Sequence, residues 1–209
     1  MGNLKLTKVY LMILSLLGWF SLIAQFYITV DNRSISLVQT IIRFFSYFTI
    51  DTNFLVAICS AILVLIPKSK IGNFFNRQTT LTAITVYIVV VGIIYNFNLR
   101  ALGTPIGLLI LLNELMHLII PLLFFIFWLV SVPKNLLKWK DFWTWLIYPL
   151  LYIIIILLLG SNSNFYPYPF INVNEIGTNQ TLINSLIIAL LFAGLSLLFI
   201  TFSKLVAKK

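Results

Sequence analysis

One apolar stretch near the middle of the chain carries three side chains suited to chemistry. Residues 111–121 read Leu-Leu-Asn-Glu-Leu-Met-His-Leu-Ile-Ile-Pro and include Asn113, Glu114 and the only histidine of the protein, His117. Residues three and four positions apart share a helix face, so Asn113 and Glu114 lie beside His117. An ionisable side chain inside a membrane helix costs about 3 kcal/mol or more unless other groups compensate. We therefore expect His117 to have a function.

A second set of polar residues interrupts the apolar run 38–66. Its members are Arg43, Ser46, Tyr47, Thr49, Asp51, Thr52 and Asn53. Helical spacing puts Thr49 and Asn53 on one face and Asp51 on the opposite side, with Arg43. Thr49 lies about 11 residues and His117 about 9 residues from the outer ends of their runs, which places both roughly 14 to 17 Å deep. The two side chains are therefore predicted to meet at one level.

A hydroxyl, an imidazole and amide groups at one depth are the parts of a nucleophilic acyl-transfer site. The imidazole takes the hydroxyl proton, the oxygen attacks a carbonyl carbon, and fixed N–H donors stabilise the oxyanion. We predict Thr49 and His117 as the catalytic residues. The predicted substrate-binding or oxyanion residues are Asn53 and Asn113, as oxyanion or positioning donors, and Glu114, Asn96 and Asn98, at the outer mouth.

The same residues have structural interpretations. A buried threonine in a membrane helix often donates to the carbonyl four residues before it. Glu114 has two candidate ion-pair partners, His117 and Arg100. The candidate partner of Asp51 is Arg43, and we predict that these two residues form a structural polar pair.

Other chemistries fit these residues less well. The spacing Glu114-x-x-His117 matches one half of a di-iron site, but a second half is absent. The sequence contains no His-Glu-x-x-His, no Gly-x-Ser-x-Gly and no glycine-rich phosphate loop. The single cysteine, Cys59, lies in an apolar run, which excludes an internal disulfide framework and favours simple packing. We expect no metal and no cofactor.

Helices that cross a membrane must position these side chains. Of 209 residues, 61% are hydrophobic and 9% are charged, far from the balance of soluble proteins. Six apolar runs are long enough to span a bilayer and predict helices at about 9–30, 38–66, 80–98, 108–132, 142–159 and 181–202. Pro121 is expected to kink the fourth helix. We predict an all-α, polytopic membrane helix bundle that forms one integral-membrane domain over residues 1–209.

The longest polar connection, residues 160–180, contains a run of aromatic residues and prolines. Residues 165–170 read Phe-Tyr-Pro-Tyr-Pro-Phe. Tyr and Trp are enriched where a membrane meets water. We interpret these rings as interfacial anchors rather than as ligand groups.

The basic residues predict the orientation of the bundle. The net charge is +9, but the lysines and arginines lie in short connections, so we expect no nucleic-acid partner. On one side lie Lys5, Lys8, Lys68, Lys70, Arg77, Lys134, Lys138, Lys140, Lys204, Lys208 and Lys209. The other side has only Arg33 and Arg100. By the positive-inside rule both termini are cytoplasmic, and we expect a multi-pass protein of the cell membrane whose partner is lipid.

Two segments resemble motifs of a known family. Tyr47-Phe48-Thr49 with Asn53, and Leu112-Asn113-x-x-Met116-His117 followed by Pro121, are similar to the androgen-induced-protein and androgen-dependent tissue-factor-pathway-inhibitor-regulating-protein family. Residues 145–152 and the run at 166–170 extend the similarity and look like its bacterial branch. The resemblance implies six membrane helices with both termini cytoplasmic. It also implies the activity of the animal members, which are threonine hydrolases of fatty acid esters of hydroxy fatty acids.

Carried over by position, the resemblance implies Thr49 as the catalytic threonine and His117 as the catalytic histidine. Asn113 matches the asparagine that precedes this histidine. The chain departs from the animal members at Glu114, where they have a second histidine, and it carries Asp51 inside the second helix. Because both departures concern the pocket, the resemblance leaves the substrate open.

The leading hypothesis is an intramembrane lipid-ester hydrolase that forms an acyl-enzyme on Thr49, with His117 as general base and then general acid. The lipid enters sideways from the outer leaflet. The alternative is a small transporter or binding protein in which Asp51, Glu114, His117 and Arg43 form a proton- or ion-coupled polar pocket. The absence of a visible internal repeat argues against transport. A third hypothesis is a scaffolding protein whose buried polar residues only fix the helix register.

Overall fold

A computed structural model describes residues 2–207, with side chains from residue 6 onward. The helices are α1 Gly2–Asp31, α2 Leu37–Phe44, α3 Phe48–Leu65, α4 Lys70–Phe75, α5 Gln78–Ile94, α6 Leu108–Glu114, α7 Ile120–Ser131, α8 Asp141–Ser163 and α9 Val173–Ala207. π-Helical segments follow α5, at Tyr95–Leu99, and join α6 to α7, at Leu115–Ile119. Short 3-10 turns lie at Arg100–Leu102 and Pro169–Ile171.

Six helical segments are long and apolar enough to cross a membrane. They are Leu6–Asp31, Phe48–Leu65, Gln78–Leu102, Leu108–Ser131, Asp141–Ser163 and Val173–Ala207. Large apolar side chains such as Leu16, Leu65 and Val130 are exposed on the bundle, as suits a lipid-facing surface. The prediction of an all-helical bundle with six apolar spans is confirmed. Lys208 and Lys209, which contribute to the predicted charge asymmetry, lie outside the described residues, as does the side chain of Lys5.

The centre of the bundle is formed by α3 and α5. Helix α1 packs along α3, and α5 contacts α3, α7 and α9. At the α1–α3 contact, a Cβ atom added to Gly18 would stand 2.8 Å from that of Ala57, so the two backbones approach closely. Cys59 is buried and free, as expected of a packing residue.

The helix predicted at 38–66 is not continuous. It is broken into α2 and α3 by three non-helical residues, 45–47. The hydroxyl of Tyr152, on α8, accepts from the N–H of Phe48 at 3.1 Å and donates to the carbonyl of Ser46 at 2.7 Å. It thereby replaces backbone bonds that a continuous helix would supply. The break depends on a residue more than one hundred positions away, so local hydropathy does not reveal it.

The other observed helices differ from the predicted ones mainly at their ends. The helix predicted at 142–159 extends over Asp141–Ser163, and the one predicted at 181–202 extends over Val173–Ala207. The extensions carry polar residues, which a hydropathy run excludes. In the last helix Gly177 has a φ of +75°, a conformation that glycine adopts readily, and it marks a kink.

A proline inside α8 provides a contact between helices. Pro149 has no N–H, so the carbonyl of Trp145, one turn earlier, lacks its helical donor. The hydroxyl of Tyr87 on α5 donates to this carbonyl at 2.8 Å. The carbonyl that the proline leaves without a donor therefore forms a hydrogen bond between α8 and α5.

Candidate functional site

His117 lies where its helix is interrupted twice within one turn. The N–H of Ile120 reaches back five residues to the carbonyl of Leu115, and Pro121 has no N–H to donate. In a regular α-helix, residues 120 and 121 would donate to the carbonyls of Met116 and His117. Both carbonyls are therefore left free by the helix. π-Bulges of this kind occur frequently at functional sites.

Two asparagines from neighbouring elements donate to these free carbonyls. Nδ2 of Asn53, on α3, lies 3.2 Å from the carbonyl oxygen of Met116 and 2.9 Å from that of Thr49. Nδ2 of Asn96 lies 3.0 Å from the carbonyl oxygen of His117. A buried carbonyl without a donor costs about 1 to 3 kcal/mol. Asn53 and Asn96 therefore fix the segment that carries the histidine.

The imidazole of His117 is oriented by its own helix and by one aromatic ring. Nδ1 lies 2.9 Å from the backbone carbonyl oxygen of Asn113. Since a carbonyl only accepts, Nδ1 carries the proton of the neutral ring and Nε2 keeps its lone pair. The ring stacks on Tyr95, with centroids 3.7 Å apart and planes 15° from parallel. Nε2 has no hydrogen-bond partner among residues 6–207, so its lone pair is available.

Thr49 differs from the other buried threonines, and from several buried serines, in the partner of its hydroxyl. Thr52, Thr85 and Ser21 each donate to the carbonyl four residues earlier, at 2.7 to 2.8 Å. Thr49 lies in the first turn of α3, so the residue four positions before it is outside the helix. Its hydroxyl instead contacts the hydroxyl of Tyr168 at 3.4 Å. The helix break thus leaves the Thr49 oxygen free of its own backbone.

The sequence interpretation missed two tyrosines of this site, Tyr95, which stacks on His117, and Tyr168. The hydroxyl of Tyr168 accepts from the N–H of Thr49 at 3.2 Å, so Tyr168 is not an interfacial anchor. Burial raises the pKa of Tyr168 to about 12, which keeps the phenol protonated at neutral pH. Nearby, the ring of Tyr166 packs so closely on Gly160 that a Cβ there would lie 2.1 Å from it. The signal in the sequence was the repeated Tyr-Pro, because each proline restricts the backbone of the loop.

Two cavities meet at Thr49. The first, of about 310 Å³, is almost wholly apolar and lies among α3, α5, α8 and α9. The second, of about 690 Å³, is more polar and extends from His117 to exposed residues such as Arg33. Thr49, Tyr95 and Tyr168 are among the residues that line both cavities. A molecule with an apolar and a polar part would therefore place its junction at Thr49.

Thr49 and His117 line the same polar cavity, and each is 8% exposed. No hydrogen bond joins their side chains in the described part of the chain. The Thr49 hydroxyl contacts Tyr168, and Nδ1 of the imidazole is held by Asn113. The structure thus brings the two predicted residues to one cavity without direct contact.

The two predicted oxyanion donors have different positions. Both N–H groups of Asn53 are used by backbone carbonyls, and its Oδ1 is buried with no partner within the described residues. In this structure Asn53 is a positioning donor, because its N–H groups tie α3 to the histidine segment and neither is free for an oxyanion. Asn113 lines the polar cavity, and its carbonyl orients His117.

Two of the residues predicted at the outer mouth, Asn96 and Glu114, belong to one hydrogen-bonded chain. Glu114 pairs with Arg100 through two bonds, Nη1–Oε1 at 2.6 Å and Nη2–Oε2 at 2.9 Å. Nε of Arg100 donates to Oδ1 of Asn96 at 2.9 Å, and Asn96 in turn binds the His117 carbonyl. Asn98 is exposed. Asn96, Asn98 and Glu114 line neither of these two cavities, and their assignment to the outer mouth stays a prediction.

The predicted pair of Arg43 and Asp51 is not formed. The guanidinium of Arg43 lies over the ring of Phe165, 4.5 Å from its centroid. Half-buried Asp51, in the first turn of α3, has no hydrogen bond or ion pair with any residue in the range 6–207. The prediction assumed one continuous helix, and the break at 45–47 separates the two positions.

The site offers a hydroxyl, an imidazole and amides. Within residues 2–207, no group of three His, Cys, Asp or Glu side chains could hold a metal ion. Comparisons with protein-family models, curated proteins and solved structures find no match for this chain. The site itself therefore provides the basis for a functional proposal.

Proposed function

We propose that the protein is an intramembrane lipid-ester hydrolase in which Thr49 is the nucleophile and His117 the general base. One observation carries the proposal. The Thr49 hydroxyl, free of its own backbone, lies where an apolar cavity meets a polar cavity lined by His117. A fatty acid ester has the same division, because its reactive carbonyl separates an apolar chain from a more polar part. Cavities of roughly 300 to 1,000 Å³ are usual for small-molecule sites.

In this mechanism the Thr49 oxygen attacks the ester carbonyl carbon. Its proton passes to Nε2 of His117 through water in the cavity, since the two side chains share this cavity but not a hydrogen bond. The imidazolium then returns a proton to the departing alcohol, which leaves Thr49 acylated. Water, activated by the same imidazole, hydrolyses this acyl-enzyme and releases the fatty acid.

Tyr168 is assigned to stabilise the tetrahedral intermediate. Its oxygen accepts from the N–H of Thr49, which leaves the phenolic hydrogen to point elsewhere. A protonated phenol next to the nucleophile is a donor for the oxyanion. The N-terminal end of α3 adds the favourable dipole of a helix.

The test is hydrolysis of medium-chain fluorogenic fatty acid esters by the purified protein in detergent. The variants are Thr49→Ala, His117→Ala and, as a matched control, Thr52→Ala, whose hydroxyl bonds to its own helix. We expect Thr49→Ala and His117→Ala to lose about a hundredfold or more of the activity. Thr52→Ala keeps it. Wild-type rates from a folded Thr49→Ala protein would refute the proposal.

We also propose that both termini are cytoplasmic, that the protein lies in the cell membrane, and that it belongs to the androgen-induced-protein family. The end of the bundle away from the site carries Lys68, Lys70, Arg77, Lys134, Lys138 and Lys140, which supports the orientation. The contact between Thr49 and Tyr168 links two segments that carry the family resemblance. In intact cells, an impermeant maleimide should label a cysteine placed at Ser34 and not one placed at Lys140. The reverse labelling would overturn the orientation.

The transport alternative has weaker support. It required Asp51, Glu114, His117 and Arg43 in one polar pocket. Glu114 pairs with Arg100, and Asp51 lines neither cavity described above. Solute flux in proteoliposomes that depends on Asp51 would favour transport over hydrolysis.

A further inference from the structure

We infer that the acyl chain of the substrate enters the apolar cavity directly from the bilayer, between α8 and α9, past Leu150 and Leu186. The inference rests on the proposed ester hydrolysis. It adds a place in the structure to the sideways entry expected from the sequence. Water reaches the Thr49 hydroxyl from the other side, through the polar cavity.

The apolar cavity reaches the lipid-facing surface of the bundle at two leucines. Leu150 on α8 and Leu186 on α9 both line this cavity. They are also 46% and 60% exposed, respectively. In a membrane-spanning helix, an exposed apolar side chain contacts lipid tails, which are as apolar as leucine itself. A side chain that borders both lipid and the cavity forms the rim of an opening, so the cavity is continuous with the bilayer.

One row of side chains on α9 leads from this rim to the interior. Leu186, Ala189 and Phe192 all line the cavity and follow one another at intervals of three residues. Each step of three residues turns by roughly 60° around the helix axis, so the row winds gradually from one face to the next. Along it the side chains change from exposed to half-buried to buried. The small side chain of Ala189, in the middle of the row, leaves space for a chain to pass.

An acyl chain has a favourable path into the site from lipid but not from water. Its movement from the bilayer into an apolar cavity transfers it between two apolar surroundings, so no methylene group is exposed to water. The polar cavity opens instead at exposed polar residues such as Asn32, Arg33 and Ser34. There each methylene group would be hydrated, at a cost in free energy. The two cavities therefore serve as separate entrances, one for the acyl chain and one for water.

Photolabelling from the bilayer tests the entrance without hydrolysis. The protein is reconstituted in liposomes with an N-methylpalmitamide that carries a diazirine in its chain, and the adducts are located by mass spectrometry after illumination. Val90 and Phe192 line the cavity and are buried, so a probe dissolved in the surrounding lipid reaches them only through the cavity. We expect adducts on both residues. Adducts confined to exposed residues would overturn the inference.

Reversible blocking of the rim locates the entrance. Purified Leu150→Cys and Leu186→Cys are treated with benzyl methanethiosulfonate, which adds a ring to the folded protein and is removed by reductant; the native Cys59 is buried. Either modification should abolish the adducts on the buried residues, and reduction should restore them. The matched controls are Ile154→Cys and Ile187→Cys, at positions exposed on the same helices outside the cavity lining. Adducts that survive both rim modifications, or are lost equally in the controls, would contradict the entrance.

Hydrolysis in liposomes separates this inference from the proposed function. The substrates are methylumbelliferyl palmitate, which stays in the bilayer, and methylumbelliferyl butyrate, whose short chain passes through the polar cavity from water. Benzyl modification of Leu186→Cys should abolish cleavage of the palmitate and keep that of the butyrate. An equal effect on both esters would overturn the entrance and leave the hydrolase standing. Adducts that depend on the open rim, with no hydrolysis of either ester, would support the entrance and remove the hydrolase.

Discussion

Removal of the Asn96 side chain should lower the free energy of unfolding by an amount that depends on the residue at position 121. Asn96 donates to the His117 carbonyl, which is free because Pro121 has no N–H. Asn96→Ala therefore leaves a carbonyl without a donor. Pro121→Ala restores an N–H four residues after His117, which allows an internal helical bond to replace the missing one.

The size of the effect follows from these contacts. Hydrogen bonds between membrane helices contribute about 0.6 kcal/mol on average and up to about 1.7 kcal/mol. Asn96 has two further contacts: its Nδ2 also donates to the Gly92 carbonyl at 2.8 Å, and its Oδ1 accepts from exposed Arg100. Neither contact involves residue 121, so both cancel when the two backgrounds are compared. We expect Asn96→Ala to lower the free energy of unfolding by about 1 to 2 kcal/mol when Pro121 is present. In the Pro121→Ala background the loss should be less than half of that.

The assay is reversible unfolding in mixed micelles with increasing dodecyl sulfate, followed by circular dichroism. The four proteins of the double-mutant cycle give the coupling free energy directly. Asn98→Ala is the matched control, because Asn98 lies in the same π-helical segment but is exposed. An equal loss from Asn96→Ala in both backgrounds would refute the idea that the proline creates this contact.

Three further substitutions test other parts of the account. Gly160→Ala should lower the free energy of unfolding by about 1 to 3 kcal/mol in the same assay, because the Tyr166 ring occupies the space of a Cβ. Its control, Gly194→Ala, adds a Cβ to open space and should be neutral or stabilising. Tyr168→Phe should lower ester hydrolysis by about tenfold to a hundredfold by removing an oxyanion donor, while Tyr166→Phe keeps it; equal rates would remove Tyr168 from the mechanism. Lys134→Met should lower stability by about 1 kcal/mol, since its ammonium donates to three carbonyls at the end of α7; an unchanged unfolding curve would contradict this role.

The sequence predicts the spans well because hydropathy is a local property. Six apolar runs gave six helices, and buried polar residues at similar depth pointed to Thr49 and His117, which line one cavity. The same depth comparison assumed that residues 38–66 form one helix. The helix is broken, yet Thr49 and His117 still reach the same cavity because Asn53 ties α3 to the histidine segment.

The details of the site depend on contacts between distant residues, which spacing along one helix does not reveal. Tyr152 stabilises the break before α3, and Tyr168 reaches Thr49 from a loop more than one hundred residues away. The predicted Arg43–Asp51 pair does not form, because the prediction assumed regular helical spacing across that break. The role of Pro121 was only partly predicted, since a kink was expected but the donors that replace its missing N–H come from other elements.

The most direct test of the central claim is covalent labelling of Thr49. The detergent-purified protein is treated with a fluorophosphonate that reacts with activated serine and threonine hydroxyls, and the modified residue is located by mass spectrometry. We expect a single phosphonylated site at Thr49, lost in Thr49→Ala and in His117→Ala and retained in Thr52→Ala. A folded wild-type protein that is not labelled, or is labelled equally in Thr49→Ala, would contradict the assignment of Thr49 as an activated nucleophile.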